Sequence, residues 1–524
     1  MIRTRRALAA TLAAVCSVAV FVSACGTSPA ETTGTSADAG EPVAGGVARA
    51  IVIGEPRTLD PAGLGNSWTR QSLLGNALYG TLMIEDPSTL DMKFTMATDF
   101  STVDGGSTFT LKLRPGLTFS DETPLDAAAV KFNWDRLRDP ANPSDSIRQA
   151  SQVASTEVVD ATTLNVVMAA PSPVFPQALV TGAMNWIASP TALQKGQAAF
   201  DENPVGAGPF TLTRWTRQDV MELKKNPRYW DAPKPYLDEL TLRTVADATQ
   251  RLNTMIAGGA DFAMETNWAS LAQAQDAGLS TDTVSFGGGL YMGMNVRRAP
   301  FDDERARRAV SMAVDLEAVN TVINDGKGVV PQTLFPETSP FFSDIPLTTP
   351  NKETAQKLFD ELAAEGKPLS FTFTTYALPE NKATAETVQA QLSAFKNVSM
   401  DIEVVDAATG NSRNATHDFD MIIASALFQD PDAALWTAFH SSSQGNITGI
   451  SDQQLTGALD AGRVGKTIEE RRAAYETVQK RLVALNPGIW YAKSAPSVIT
   501  AKNAHGVVMY GFGSPLPEEF WMTN

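Results

Sequence analysis

From Val47 onward the chain alternates between two hydrophobic patterns, and this limits the fold more than any other feature. Short runs repeat every two residues. In 108–114, Phe109, Leu111 and Leu113 alternate with polar partners, the period of a half-buried strand. Candidate strands are 49–53, 108–114, 163–168, 220–223, 239–244, 290–295, 370–375, 400–404 and 419–424. Longer runs carry a helical period. Residues 384–396 place Val388, Leu392 and Phe395 on one face, and 469–485 place Tyr475, Val478, Leu482 and Leu485 on another. A third helix starts at Asp302/Asp303 and turns Ala306, Ala309, Val310 and Ala313 inward. Interleaved strands and helices predict an α/β fold.

The first 45 residues stand outside that pattern. Arg3, Arg5 and Arg6 precede an uncharged, mostly apolar run, and Val22-Ser23-Ala24 sets small residues before Cys25. This describes a secretory signal peptide. The run is shorter than the roughly 20 residues that a spanning helix needs. Val-Ser-Ala-Cys resembles the lipobox of bacterial lipoproteins, in which the cysteine becomes the first mature residue and its sulfur carries a diacylglycerol. Residues 1–24 are therefore expected to be a signal peptide, Cys25 the lipid anchor, and 25–45 a flexible Thr/Ser/Ala/Gly tether. Cys16 leaves with the leader, so no internal disulfide forms and stability must come from burial. Removing three arginines takes the net charge from −16 to −19, which argues against nucleic acid and against basic adhesion to anionic lipid.

Catalytic and cofactor motifs fail on spacing. Ala461-Gly-Arg-Val-Gly-Lys-Thr467 approaches a phosphate-binding loop, but Asp460 stands where the cradle needs its first glycine, and a helix-end turn is the better reading. Ser393-Ala-Phe-Lys396 has the Ser-x-x-Lys spacing of penicillin-recognising enzymes without their other motifs. His417, His440 and His505 form no spaced ligand pair. The acidic pairs Asp302/Asp303 and Asp430/Asp432 read as helix capping and loop solvation before they read as catalytic dyads. No cofactor is expected, and a secreted hydrolase is the weakest alternative.

Four longer stretches say more. They are Gly54-Glu-Pro-Arg-Thr-Leu-Asp-Pro-Ala62, then 111–137 with its Arg114-Pro115-Gly116 and Asp121-Glu122-Thr123-Pro124 turns, then 203–240 from Asn203-Pro204-Val205-Gly206 onward, and 294–319. In order and spacing they resemble the peptide/nickel-type solute-binding proteins of ATP-driven importers, the bacterial extracellular solute-binding family 5. The resemblance runs from about residue 49 to about 498. It implies a periplasmic-binding-protein type II fold, with two hinged lobes and an inserted domain. Carried onto this chain, lobe I is 46–88, 204–296 and 489–524, the inserted domain 89–203, and lobe II 297–488. It also implies a monomeric, extracytoplasmic receptor, lipid-anchored at the outer face of the bacterial cytoplasmic membrane. Such a receptor captures oligopeptides or peptide-like solutes and passes them to permease subunits that have separate ATPase subunits.

In peptide-binding members the segment after Leu-Asp-Pro lines the cleft. Here it offers Asn66, Ser67 and Thr69 as hydrogen-bonding groups, Trp68 as a stacking surface and Arg70 as a cation. The second lining segment is Ser425, Ala426, Leu427, Phe428, Asp430, Asp432 and Trp436. The family pattern resembles Trp-x-x-Asp-x-x-Asp-Pro. Asp430-Pro431 match its second half, but Leu427 replaces the aspartate that pairs with a peptide's α-ammonium group. Dipeptide-type members also carry an arginine for the α-carboxylate just after the strand at 370–375, where this chain has Thr374-Thr375-Tyr376. So either Asp430 or Asp432 reaches the ammonium, or the ligand is held along its backbone. Otherwise it is a non-peptide such as a sugar, opine or metal chelate. Trp186, Tyr291 and Tyr376 complete the candidate aromatic surface.

Overall fold

The alternating runs assemble into three principal sheets in the computed structural model, which describes residues 40–140, 142 and 144–523. Cys25 and the expected leader and most of the tether lie outside those residues. The first sheet has seven strands in the order Ser280–Thr283, Ser497–Thr500, Phe262–Glu265, Val47–Val52, Glu239–Thr244, Val220–Lys225, Phe210–Thr216. Val47–Val52 runs parallel to both Glu239–Thr244 and Phe262–Glu265. The second has five strands, Val398–Val405, Leu369–Tyr376, Met421–Phe428, Gly287–Met294 and Gly488–Ala492. Its first three are mutually parallel. The third is an antiparallel four-stranded sheet, Ala97–Ser101, Thr108–Leu113, Thr163–Met168, Val153–Val158.

Local chemistry accounts for the breaks between elements. Gly116 has φ +78° in the Arg-Pro-Gly turn, a conformation costly for a side chain bearing Cβ. Asp126 caps helix Ala127–Arg138 by accepting from Ala129 N at 2.9 Å, and Asp303 caps Glu304–Ala313 through Arg305 N at 2.9 Å. The phosphate-loop look-alike is a helix junction: Gln453–Val464 ends, Gly465 caps it, and Thr467 caps Ile468–Leu485 by accepting from Glu470 N.

One continuous core underlies the seven-stranded and four-stranded sheets, with Trp134, Phe175, Trp186 and Phe210 fully buried in it. The five-stranded sheet has separate cores on its two faces, one around Phe359, Phe371 and Phe373, the other around Phe335, Phe428 and Tyr475. Gly287–Met294 and all but the first residue of Gly488–Ala492 fall within the ranges expected for lobe I, yet they pair in the five-stranded sheet. The chain therefore passes between the two large sheets at 284–286 and 493–496. Glycine permits the early start of the strand at 287: a Cβ on Gly287 would sit 2.0 Å from the Phe428 ring, and one on Gly288 1.9 Å from Ala426 O.

Candidate functional site

In open α/β sheets, ligands sit beyond the carboxyl ends of the parallel strands. Val47–Val52 leads at that end into 53–71, which carries Asn66 to Arg70, and Met421–Phe428 ends beside Asp430. The structure brings both segments to the same crossover. From the first lobe, Trp68 packs on Phe286 with ring centroids 5.6 Å apart, and Phe286 meets Phe512 at 5.5 Å. From the second, Gln429 Nε2 donates to Ser285 O at 3.3 Å. The two crossovers are tied together by Val284 N donating to Pro496 O at 3.0 Å. A Cβ on Gly513, which has φ +70°, would meet Pro496 at 2.7 Å and Trp68 at 3.2 Å, so the floor of this region is tightly packed.

Within this arrangement the candidate residues divide. Trp68 is partly buried, and its indole Nε1 is shielded from solvent with no hydrogen-bond partner, an unmet donor at the crossover. Ser67 is partly exposed, Thr69 is exposed, and Arg70 reaches out to an ion pair with Asp145. On the second lobe Ser425 is exposed and Leu427 partly exposed, on the opposite face from buried Ala426 and Phe428. Tyr376 ends its strand on the face covered by helix Ala407–Thr416, accepting from Asn414 Nδ2 at 3.0 Å.

Several expectations are corrected by packing. Trp186 is fully buried, and its Nε1 donates to Asn76 Oδ1 at 2.9 Å. Tyr291 is buried between Phe439 and Trp490, and burial pushes its phenol up. Asn66 is buried too: Nδ2 donates to Val180 O at 2.8 Å and Tyr510 OH at 3.0 Å, and Oδ1 accepts from Ser514 Oγ at 2.6 Å. Ala426 and Phe428 face the core. Trp436 stays partly exposed, with the His440 ring 4.3 Å and the Arg463 guanidinium 4.4 Å away.

The acidic pair is not solvated loop either. Asp430 accepts from Arg471 Nη2 at 2.8 Å, with Nη1 2.7 Å from its other oxygen; the two side chains are 8% and 6% exposed. Asp432 accepts from Arg463 Nε at 2.9 Å; burial pushes its carboxyl up and Arg463 pulls it back. Both carboxylates already have cations, so neither is free to meet a ligand's ammonium. Their partners lie 31 and 41 residues away in sequence, which is why local pattern does not reveal them. Phe286 and Gln429 likewise carry no local signal, although the Gly287-Gly288-Gly289 run marks a close backbone approach at that point. Among the described residues no cluster of three or more His, Cys, Asp or Glu could hold a metal ion, and no helix is long and apolar enough to cross a membrane.

The model of the bacterial extracellular solute-binding proteins, family 5 (middle region), matches residues 92–446. The chain belongs to this family. The glutathione-binding protein GsiB of Shigella boydii serotype 4 is 33% identical over 285 residues, covering 53% of this chain and 54% of that protein. The chain thus matches about half the length of its curated relatives. Among solved structures, HbpA2 from Haemophilus parasuis superposes with a TM-score of 0.80 at 20% identity, covering 91% of this chain and 100% of the other. The oligopeptide-binding protein AppA from Bacillus subtilis, in complex with a nonapeptide, superposes at 0.71 and 21% identity, covering 92% and 100%. These likenesses establish the fold, that of the type II periplasmic binding proteins.

Proposed function

We propose that this chain is the extracytoplasmic receptor of an ATP-driven importer, capturing an oligopeptide or peptide-like solute between its two lobes and delivering it to a permease. The observation that carries the reading is the convergence of Trp68 and Gln429, from opposite lobes, on the 284–286 crossover. A bound solute there touches both lobes and stabilises the arrangement in which they approach each other. Family membership and a glutathione-binding relative support a peptide-like ligand. ATP hydrolysis falls to partner subunits, and Cys25 anchors the receptor to the membrane by lipid.

The site favours ligands held along their length. Leu427 supplies no charge for a terminal ammonium, and Asp430 and Asp432 are engaged by arginines. Burying an unpaired terminal charge costs several kcal/mol. Backbone pairing and side-chain packing on Trp68 are left to provide affinity. Calorimetry with glutathione and a peptide length series, capped and uncapped, tests this. Affinity should rise from dipeptides to about four residues, and capping should weaken it little. Tight dipeptide binding abolished by capping would refute the backbone-held mode. The non-peptide alternative stands on the same observation at Leu427, and absence of binding at every length would favour it.

A further inference from the structure

A small hairpin also joins the two lobes. Its strands are Met83–Glu85 and Met92–Phe94, with Met83 paired to Phe94 and Glu85 to Met92. The base belongs to the first lobe, since Met83 lies in that core and Ile84, Met92 and Phe94 pack against it. The tip does not. Leu90 is 7% exposed and sits in the core cluster of the second lobe, whose other members all lie between residues 291 and 490. Leu90 also has φ +63°, a left-handed conformation unfavourable for leucine. The turn is built to hold it there. Asp86 Oδ1 accepts from Ser88 N, Ser88 Oγ and Thr89 N, its Oδ2 pairs with Lys93 Nζ at 2.8 Å, and Leu90 N donates to Asp86 O at 2.9 Å. Beside it Glu85 is 1% exposed, with Oε1 lacking any hydrogen-bond partner. The charged groups that act on Glu85 are Asp430 and Arg471 of the second lobe and Asp86 of its own hairpin. Tyr475, whose hydroxyl is also buried, adjoins the Asp430–Arg471 pair.

We propose that the Met83–Phe94 hairpin is a latch between the lobes, closed when Leu90 seats in the second lobe's core and Glu85 is buried beside the Asp430–Arg471 pair. This goes beyond the proposed function, because it concerns what holds the lobes together whether or not a solute is present. Separation exposes Leu90 to water and hydrates Glu85. Burial, reinforced by Asp430 and opposed by Arg471, pushes the Glu85 carboxyl well above its ordinary value. The closed latch therefore favours the protonated carboxyl. It is strongest at pH below the ordinary carboxylate value and weakens as pH rises through the elevated one.

The test uses spin labels in the full chain, with Cys16→Ser and Cys25→Ser to leave only introduced thiols. Val103→Cys in the inserted region and Val322→Cys on the second lobe are both exposed positions. Their distance distribution is measured without ligand from about pH 5 to about pH 9. The native latch should give one dominant distance at low pH and a second population that grows with pH. Glu85→Gln should remove the pH dependence and hold the low-pH distance. Leu90→Asn keeps a residue tolerant of the left-handed turn, and should raise the open-to-closed ratio about tenfold at every pH. Thermal unfolding of each variant checks that the fold persists. Identical distributions in the native chain and both variants would overturn the latch. Because no solute is added, that result leaves the receptor reading to its own calorimetric test.

Discussion

Replacing Arg471 with methionine removes the cation that Asp430 is buried against. Arg471 lies 2.7 and 2.8 Å from the two oxygens of Asp430, and its Nε donates to Gly462 O at 3.0 Å. Its guanidinium also lies 5.0 Å above the Phe341 ring. Burial works against the arginine's charge, and Asp430 more than restores it. Breaking such a pair from one side costs about 3–5 kcal/mol, because a carboxylate is left uncompensated. The freed Gly462 carbonyl adds about 1 kcal/mol, while methionine keeps much of the packing on Phe341. We expect a net loss near 4 kcal/mol, or about three decades in the opening equilibrium of the surrounding segment. Hydrogen exchange of helix Ile468–Leu485, followed by mass spectrometry, reads that change directly and needs no two-state unfolding of the whole chain. The double variant Arg471→Met/Asp430→Leu should exchange more slowly than Arg471→Met alone, since an apolar pair can replace a buried ion pair at little cost. Exchange within tenfold of the native rate in the single variant, or no recovery in the double, would refute the assignment of Asp430 as a structural partner. It would also return Asp430 to the list of ligand anchors.

Three further outcomes follow from the same geometry. Burial pushes Glu518 up to about 7 from 4.5, so its contribution to stability is full below the lower value and is lost as pH rises through the upper; Glu518→Gln should flatten the pH dependence of the first lobe's thermal midpoint across that window. Leu427→Asp places a carboxylate at the partly exposed end of Met421–Phe428 and should selectively strengthen calorimetric binding of peptides with a free ammonium terminus, leaving acetylated ones unchanged. Cys25→Ser should release the protein from membranes into the soluble fraction after fractionation, with an unchanged circular dichroism spectrum.

The fold was legible where a pattern is local. The strands at 163–168 and 239–244 carry enough alternation or β-branched content to be bounded correctly, and Asp126 and Asp303 mark helix starts because capping needs only the next turn. Phe262–Glu265 was not read from sequence because all four residues are buried, leaving no alternation to see. The candidate site was half legible. The Leu-Asp-Pro segment led to Trp68, which does reach the crossover. Trp186 and Tyr291 were misleading because an aromatic side chain carries no sign of whether it faces a cleft or a core. Asp430 and Asp432 were misleading because their arginine partners arrive by tertiary packing.

The receptor reading is tested most directly by native mass spectrometry of the protein purified gently from its own host. The account predicts the folded chain in complex with one peptide-like small molecule. That molecule should be lost on mild collisional activation, and the Trp68→Ala variant should retain it poorly. A stoichiometric sugar, opine or metal chelate in its place would contradict the peptide-like assignment. Recovery of the chain only with hydrolysed product of an added peptide would contradict the receptor itself.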